Sequence, residues 1–350
     1  MSDTGPESSA RPTNKVEIVA EIGANHDGDV DEAHRLVDAA AEAGVDAVKF
    51  QTYTSAELVA DPDRVVSWGP PGRERSETVG SMFDRLAIPR AAHGELFEHA
   101  RRLGVTAFST PFSVDGLDFL LGLDVPAIKI ASSDVNHREL LQAAAASGKP
   151  LILSTGKATI EEVDRAVETV RDGGASEICL LHCVAQYPAP LEEMNLLAIP
   201  KLAERYPDLS VGLSDHSLGS TAAVGAVALG AVMIEKHFTL DKDLPGPDHW
   251  FSADPAEMTA LVEQVRAIAV ALGDGEKRVM PSEQEERRTS IRSLVVRRAM
   301  RAGEEVTADD LVALRPGTGI DPFEQPRVVG RRLRIRVEAG TVLRWEDLDG

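Results

Sequence analysis

The feature that most restricts the fold of this 350-residue chain is a rhythm of short apolar runs alternating with amphipathic stretches. The runs "VEIVAEIG", "DAVKFQTY", "VTAFSTP", "AIKIASS", "PLILSTG", "EICLLHC", "SVGLSDH" and "AVMIEKHF" read as strands that stop at polar clusters. Residues 30–43, 89–103, 138–147, 160–171 and 220–229 lie between them and carry helical periodicity, and 255–272 follows the eighth strand. Eight βα units over about 260 residues predict a parallel (β/α)8 TIM barrel. A doubly wound sheet competes with it. That sheet needs no eightfold count, however, and more often opens on a Gly-rich turn, which "GANHDG" is not.

The barrel leaves residues over at both ends. Residues 1–15 are polar, rich in Ser and Pro, and lack the apolar stretch of a signal peptide, so they are expected to form a flexible tail. The barrel is expected to span 16–273, and 274–289 is a charged linker. Residues 290–350 change texture to short β-like pieces with a weak repeat, "AGEEVTADDL" and "AGTVLRWEDL", which predicts a compact β-rich module. Composition marks the same boundary. From Gln284 onward 13 Arg face 12 Asp plus Glu, and no Lys follows Lys277, although the whole chain carries a net charge of -20.

That charge argues against nucleic acid or an anionic membrane as the main partner, but not against an anionic small substrate met by a local cation cluster. The longest near-apolar run, 221–234, is too short and too Gly-interrupted to cross a bilayer. Cys179 and Cys183 share one predicted strand. Alternation puts them on one face but too far apart for a disulfide, and reduced thiols fit a cytoplasmic protein. A long, charged, Pro/Gly-bearing insertion, 55–88, falls after the second strand, where it would act as a lid, an oligomer contact or plain structure.

A barrel of this type works at the C-terminal ends of its strands. Those ends supply Glu21, Lys49 with Gln51, Ser109 with Thr110, Lys129 with Ser132, Ser154 with Thr155, His182, Ser214 with His216, and Glu235 with His237. Any single one of these reads equally well as a cap or a satisfied core group; one on every strand does not. His216 and His237 end adjacent strands, roughly 4.8 Å apart, and two imidazoles with oxygen ligands suit Mn²⁺ or Mg²⁺ better than structural Zn²⁺. The same histidines equally fit general acid–base work, with Asp215 and Glu235 as orienting partners. Lys49 and Lys129, with the hydroxyls of Thr110, Ser132, Ser154 and Ser214, form an anion cradle, or else supply a Schiff-base amine.

The segments "AEIGANHDGDVDEAHRLVDAAAEAGVDAVKFQTY", "FSTPF", "IKIASSD", "GKPLILSTG", "LLHCVAQYPAP", "GLSDHS", "EKHFT" and "GPDHWFS" resemble the sialic acid synthase family. The tail, with "LRPGTGI", looks like that family's antifreeze-like SAF domain. The resemblance runs from about residue 16 to the C-terminus. It implies condensation of phosphoenolpyruvate with an open-chain N-acyl hexosamine of the N-acetylmannosamine type. The products would be N-acetylneuraminate, or a related nine-carbon 2-keto sugar acid, and phosphate.

By motif, His216 and His237 carry over as ligands of a divalent metal that polarises the sugar aldehyde and holds the attacking water, with Glu21 handling that water's proton. Lys49, Thr110, Lys129, Ser132, Ser154 and Ser214 would hold phosphoenolpyruvate, and Gln51, Tyr187 and Asp248 would contact the sugar. Arg315 matches a residue that enters a neighbouring subunit's site, which implies a domain-swapped homodimer. Two positions depart from the pattern. Asp134 stands where N-acetylneuraminate-forming members commonly have Glu, and Ala185 where some bacterial ones have Asn. Both changes alter the sugar side, so a legionaminate- or pseudaminate-type synthase using a diacetamido hexose is the alternative. A Schiff-base lysine aldolase and a non-catalytic sugar-binding protein are the readings from other classes. The filled strand ends argue against the last.

Overall fold

The computed structural model describes residues 15–349. Eight parallel strands close into a barrel: β1 Glu17–Glu21, β2 Ala47–Thr52, β5 Thr106–Pro111, β6 Ile128–Ile130, β7 Leu151–Ser154, β8 Ile178–Cys183, β9 Ser210–Asp215 and β10 Met233–His237. β3 Val65–Trp68 and β4 Arg75–Thr78 form a separate antiparallel hairpin inside the 55–88 insertion, and the helix Val79–Leu86 follows it. The TIM barrel expected from the βα rhythm is therefore the fold, and the doubly wound alternative falls away.

Helix ends follow local chemistry. Asp29 caps the helix Val30–Ala43 by accepting from the Glu32 amide, and Gly44, at φ 83°, closes it in the left-handed region that Gly adopts freely. Thr159 with Glu162, and Asp254 with Glu257, form reciprocal capping boxes at the starts of Ile160–Asp172 and Pro255–Ala271. Two helices not expected from the sequence, Val114–Leu121 and Ala198–Arg205, are only eight residues long, about two turns each.

Period-two alternation splits each strand between two cores. Ile18, Ala20, Val48, Phe50, Ile130, Leu153, Leu180, Leu213 and Ile234 face the helices. Val19, Ala47, Phe108, Ile152, Leu181 and Met233 meet inside the barrel and plug its lower half. Gly212 belongs to the inner face. A β-carbon there would lie 2.5 Å from the Met233 carbonyl oxygen and 2.7 Å from Leu181 Cδ2.

The chain divides into two compact units, with the boundary between Asp274 and Gly275. In the C-terminal unit β11 Ser293–Val296 pairs antiparallel with β12 Leu311–Leu314 over a core that includes Leu294, Val296, Val306, Leu333 and Leu343. The stretch expected as a linker contains the helix Gln284–Ser290, and the Arg288 carbonyl accepts from the Gly317 amide. The weak sequence repeat is also a structural one. The Thr307 amide donates to Asp310 Oδ2 and the Arg344 amide to Asp347 Oδ2, each at 2.9 Å, and each pair closes a one-turn 3₁₀ segment.

Filling the barrel at Gly212 should be costly because backbone lies on one side and a fixed core side chain on the other. Gly212→Ala is expected to lose about 1–3 kcal/mol, the usual range for overpacking, read as a lower urea midpoint at unchanged slope.

Candidate active site

Two residues beyond the apolar plug, the same inner faces turn polar. Val19 gives way to Glu21, Ala47 to Lys49, Phe108 to Thr110, Ile152 to Ser154 and Met233 to Glu235, and all five of these polar groups are buried. Lys129 and Ser214 complete the layer. Four ionisable groups thus lie together away from water, and pairing is what makes that tolerable. Glu21 and Lys49 form a buried ion pair, and Lys49 Nζ also donates to Thr110 Oγ1 at 3.1 Å. On β10, next to β1, Glu235 Oε1 accepts from Lys129 Nζ, which reaches it from across the barrel, and from Ser214 Oγ, both at 3.1 Å.

The two lysines differ electrostatically. Burial pulls the Lys129 ammonium below its ordinary range, and Glu235 only partly offsets this. Burial opposes the charge on Lys49 as well, but Glu21 and Glu235 together outweigh it and hold its pKa up. Burial raises the Glu21 carboxyl despite Lys49, and the Glu235 charge adds to the rise. Glu235 is lowered: burial acts against it, but Lys129 and Lys49 prevail. Glu21 therefore favours its proton more than Glu235 does, as an acid–base group should.

Above this layer the rim carries the remaining groups. Gln51 Nε2 donates to Glu21 Oε1 at 2.9 Å, and the Gly23 amide donates to the same oxygen at 3.1 Å. Ser132 Oγ accepts from the Gly156 amide at 2.9 Å. The rings of His216 and His237 stand 5.3 Å apart between centroids, and Tyr187 covers both, at 4.2 and 5.7 Å. His216 Nδ1 donates to the Val184 carbonyl at 2.8 Å, which leaves Nε2 with its lone pair. His237 Nδ1 lies 3.4 Å from Asp248 Oδ2. Burial lowers both imidazoles; His237 is lowered further by its neighbour His216. Burial, then Glu21, pushes the Asp248 carboxyl up to about 6.

Asp134 sits in the short turn after β6, where burial raises its carboxyl. A β-carbon at Gly156 would lie 3.0 Å from that of Ala185, so the two backbones crowd each other there. Ser154 Oγ and Glu235 Oε2 are buried and have no hydrogen-bond partner among the described residues.

Glu21, Lys49, Gln51, Thr110, Lys129, Ser132, Ser154, Tyr187, Ser214, His216, His237 and Asp248 therefore share the C-terminal end of one barrel, and Asp134 stands on the turn that follows β6. Arg315 lies in the C-terminal unit, exposed just after β12.

Three strand-end expectations are corrected. Ser109 faces the helices, bonding Thr52 Oγ1 at 2.7 Å, and His182 Nε2 donates to the Met194 carbonyl at 2.7 Å. Asp215 does not orient a rim histidine; it accepts from Lys236 Nζ at 2.9 Å and from Ser217. In each case the residue is one step out of phase with the inner face, so a strict two-residue count from the apolar plug would have excluded it. That count would also have paired Glu235 with Lys129 across the barrel.

Such a mouth on a closed parallel barrel defines a TIM-barrel enzyme that works at the C-terminal ends of its strands. The chain belongs to the NeuB family: residues 36–277 match that family, and residues 291–349 match the SAF domain. It is 41% identical over 336 residues to the N,N'-diacetyllegionaminic acid synthase of Legionella pneumophila, covering 95% of this chain and 94% of that one. It is 38% identical over 334 residues to the pseudaminic acid synthase of Helicobacter pylori, covering 95% and 97%. The crystal structure of N-acetylneuraminic acid (sialic acid) synthetase from Leptospira borgpetersenii, in complex with citrate, aligns with a TM-score of 0.71 at 37% identity, over 78% of this chain and 90% of that one. No helix among the described residues is long and apolar enough to cross a membrane.

The loop after β1 offers a clean titration. His26 is fully buried, its Nδ1 accepts from the Gly28 amide at 3.0 Å, and its Nε2 has no partner among the described residues. Burial lowers it to about 4. Between that value and the unfolded value near 6.5 the unfolded chain binds the extra proton, so this contribution is intact above 6.5 and disappears as pH falls toward 4. It amounts to something on the order of 3 kcal/mol. His26→Asn should flatten the loss of stability in urea titrations between pH 6.5 and 4.5; parallel curves for the two proteins would contradict this.

Proposed function

We propose that this protein is a phosphoenolpyruvate-dependent nonulosonic acid synthase, condensing phosphoenolpyruvate with an open-chain N-acyl hexosamine. The observation that carries the reading is the pair of buried lysines, each backed by its own carboxylate, beside two histidines on adjacent strands. Membership of the NeuB family supports it. Lys49 and Lys129 supply charge to the phosphate and carboxylate of phosphoenolpyruvate, and Thr110, Ser132, Ser154 and Ser214 supply direction. The unpartnered Ser154 hydroxyl and Glu235 oxygen are the polar capacity such a ligand would use. As C3 of phosphoenolpyruvate bonds to the aldehyde carbon, water adds at C2 and phosphate leaves. Glu21, held toward its protonated form by burial, takes and returns the water's proton.

His216 and His237 fit a divalent metal. Burial keeps both neutral, and the Val184 carbonyl fixes the His216 tautomer with Nε2 free. Among the described residues no third His, Cys, Asp or Glu joins them in a metal-binding group, which leaves positions for substrate and water oxygens and suits Mn²⁺ or Mg²⁺. When bound, the ion would supply Lewis-acid polarisation of the sugar aldehyde. Gln51, Asp134, Tyr187 and Asp248 form the sugar side. Arg315, with a planar guanidinium suited to paired hydrogen bonds, is proposed to reach the site of a second subunit in a domain-swapped homodimer. The free thiols Cys179 and Cys183 support a cytoplasmic setting.

A diacetamido hexose is the second reading of the substrate. It is favoured by the short Asp134 carboxylate and the absence of an amide at Ala185, together with the likeness to legionaminic and pseudaminic acid synthases. The test is a panel of mono- and diacetamido hexoses with phosphoenolpyruvate, read by product mass spectrometry with and without chelator. A nine-carbon keto acid and free phosphate are expected only when Mn²⁺ or Mg²⁺ is restored. Full turnover in metal-stripped enzyme would overturn the metal assignment, and a borohydride-trapped lysine adduct would replace the mechanism with a Schiff base.

The trans arrangement has its own test. His216→Ala and Arg315→Ala should each be nearly inactive. Mixed after subunit exchange, they should recover part of the wild-type rate, because one site of a mixed dimer keeps both residues. No recovery, with exchange demonstrated by mass, would leave Arg315 without a role in its neighbour's site.

A further inference from the structure

The loops that follow β1 and β10 are fastened together by side chains with no part in the reaction above. In the first loop, Asp27 Oδ2 accepts from His249 Nε2 at 3.0 Å. The other ring nitrogen, Nδ1, lies 2.7 Å from Thr239 Oγ1, and that hydroxyl bonds the Asp241 carbonyl at 3.1 Å. The imidazole is wholly buried. Asn25 Nδ2 makes two more ties at 2.8 Å, to the Phe238 carbonyl and to Ser252 Oγ, so the β10 loop is gripped at both ends. Ser252 Oγ in turn donates to the backbone carbonyl of Asp248 at 2.6 Å. Asp248 is thus held on one side through Ser252 and Asn25, and on the other through its neighbour His249 and Asp27.

The closeness of the two loops is built into their backbones. Gly246 has no room for a β-carbon, which would stand 2.5 Å from the His249 ring and 2.7 Å from Asp27 Oδ1. Asp27 itself adopts φ 49°, a conformation that Asp tolerates better than most residues. The insertion joins on the outside: Arg85 lies 3.7 Å from Asp27 Oδ1 and donates to Glu77 Oε1 at 2.7 Å, with its guanidinium over the Trp68 ring.

We propose that the Asp27–His249 hydrogen bond is a latch that positions Asp248, so that these two residues set the affinity for the sugar without touching it. The inference rests on the reading of Asp248 as a sugar-side residue. None of the groups assigned above to phosphoenolpyruvate, Lys49, Thr110, Lys129, Ser132, Ser154 and Ser214, bonds to the latch, so its binding should be indifferent to it. Asp27 and His249 are positioning residues, and their signature is a split between the two substrates' Michaelis constants.

The test compares Asp248→Asn, Asp27→Ala, His249→Ala and His249→Gln in the full-length, metal-supplemented enzyme, measuring kcat and both KM values. Asp248→Asn and the two alanine variants should raise the hexosamine KM tenfold or more and leave the phosphoenolpyruvate KM within twofold. His249→Gln keeps a donor toward Asp27 and should recover much of the loss, to about threefold above wild type. If Asp248→Asn raises the sugar KM and the latch variants do not, the latch is overturned while the sugar-side reading stands. If Asp248→Asn leaves the sugar KM unchanged, that reading fails and takes the latch with it. Should the alanine variants not fold, His249→Phe, which keeps a ring but no donor toward Asp27, decides: a wild-type sugar KM there overturns the proposal.

Discussion

Four charged side chains lie buried together at the mouth of this barrel, and the structure around them is arranged to make that burial tolerable. An unpaired ion there would neutralise or unfold its surroundings. Glu21 and Lys49, on neighbouring strands, instead pair along one wall, and Glu235 beside them pairs with Lys129 from across the barrel. The pairing is deliberately incomplete, since one oxygen of Glu235 and the Ser154 hydroxyl lack partners among the described residues. A fully satisfied cluster would have nothing to offer an anion. The apolar plug of Phe108, Leu181 and Met233 beneath it closes the floor, so any ligand must approach from the mouth.

Much of this was legible in the sequence because a barrel strand writes its two faces alternately. The strand strings and the longer helices are found almost where the periodicity places them, with Val30–Ala43 matching to the residue. The site residues were found because polar groups at the ends of apolar runs have no reason to recur on every strand unless they face one another. The errors have a single origin. His182, Ser109 and Asp215 sit at strand ends and are polar, but they point away from the axis, toward the helices and connecting loops. Residue type alone drew attention to them, whereas register decides their role.

What the sequence could not supply was the set of contacts between distant loops. Asn25, Asp27 and His249 stand in conspicuous motifs, yet their partners are more than two hundred positions away, and no local pattern announces the bond. The hairpin β3–β4 was likewise hidden, because its short strands are largely exposed and carry no apolar alternation. In the C-terminal unit the reverse holds. A faint repeat of ten residues proved to be one turn made twice, because a carboxylate three positions on closes the same backbone ring in both copies.

The outward pair of Asp215 and Lys236 has a consequence for folding fidelity. These residues lie opposite each other in the register of β9 and β10, each one position before a rim histidine. If either strand slipped by one residue, its ionised side chain would swing from the polar pocket outside to the barrel axis, and its histidine would swing out. An error that merely exchanged one apolar residue for another would be cheap and common in a sheet this regular. Here the error would strand an uncompensated charge on each side of the slipped strand, so the two barrel strands that come last in the sequence carry their own proofreading against misregistration.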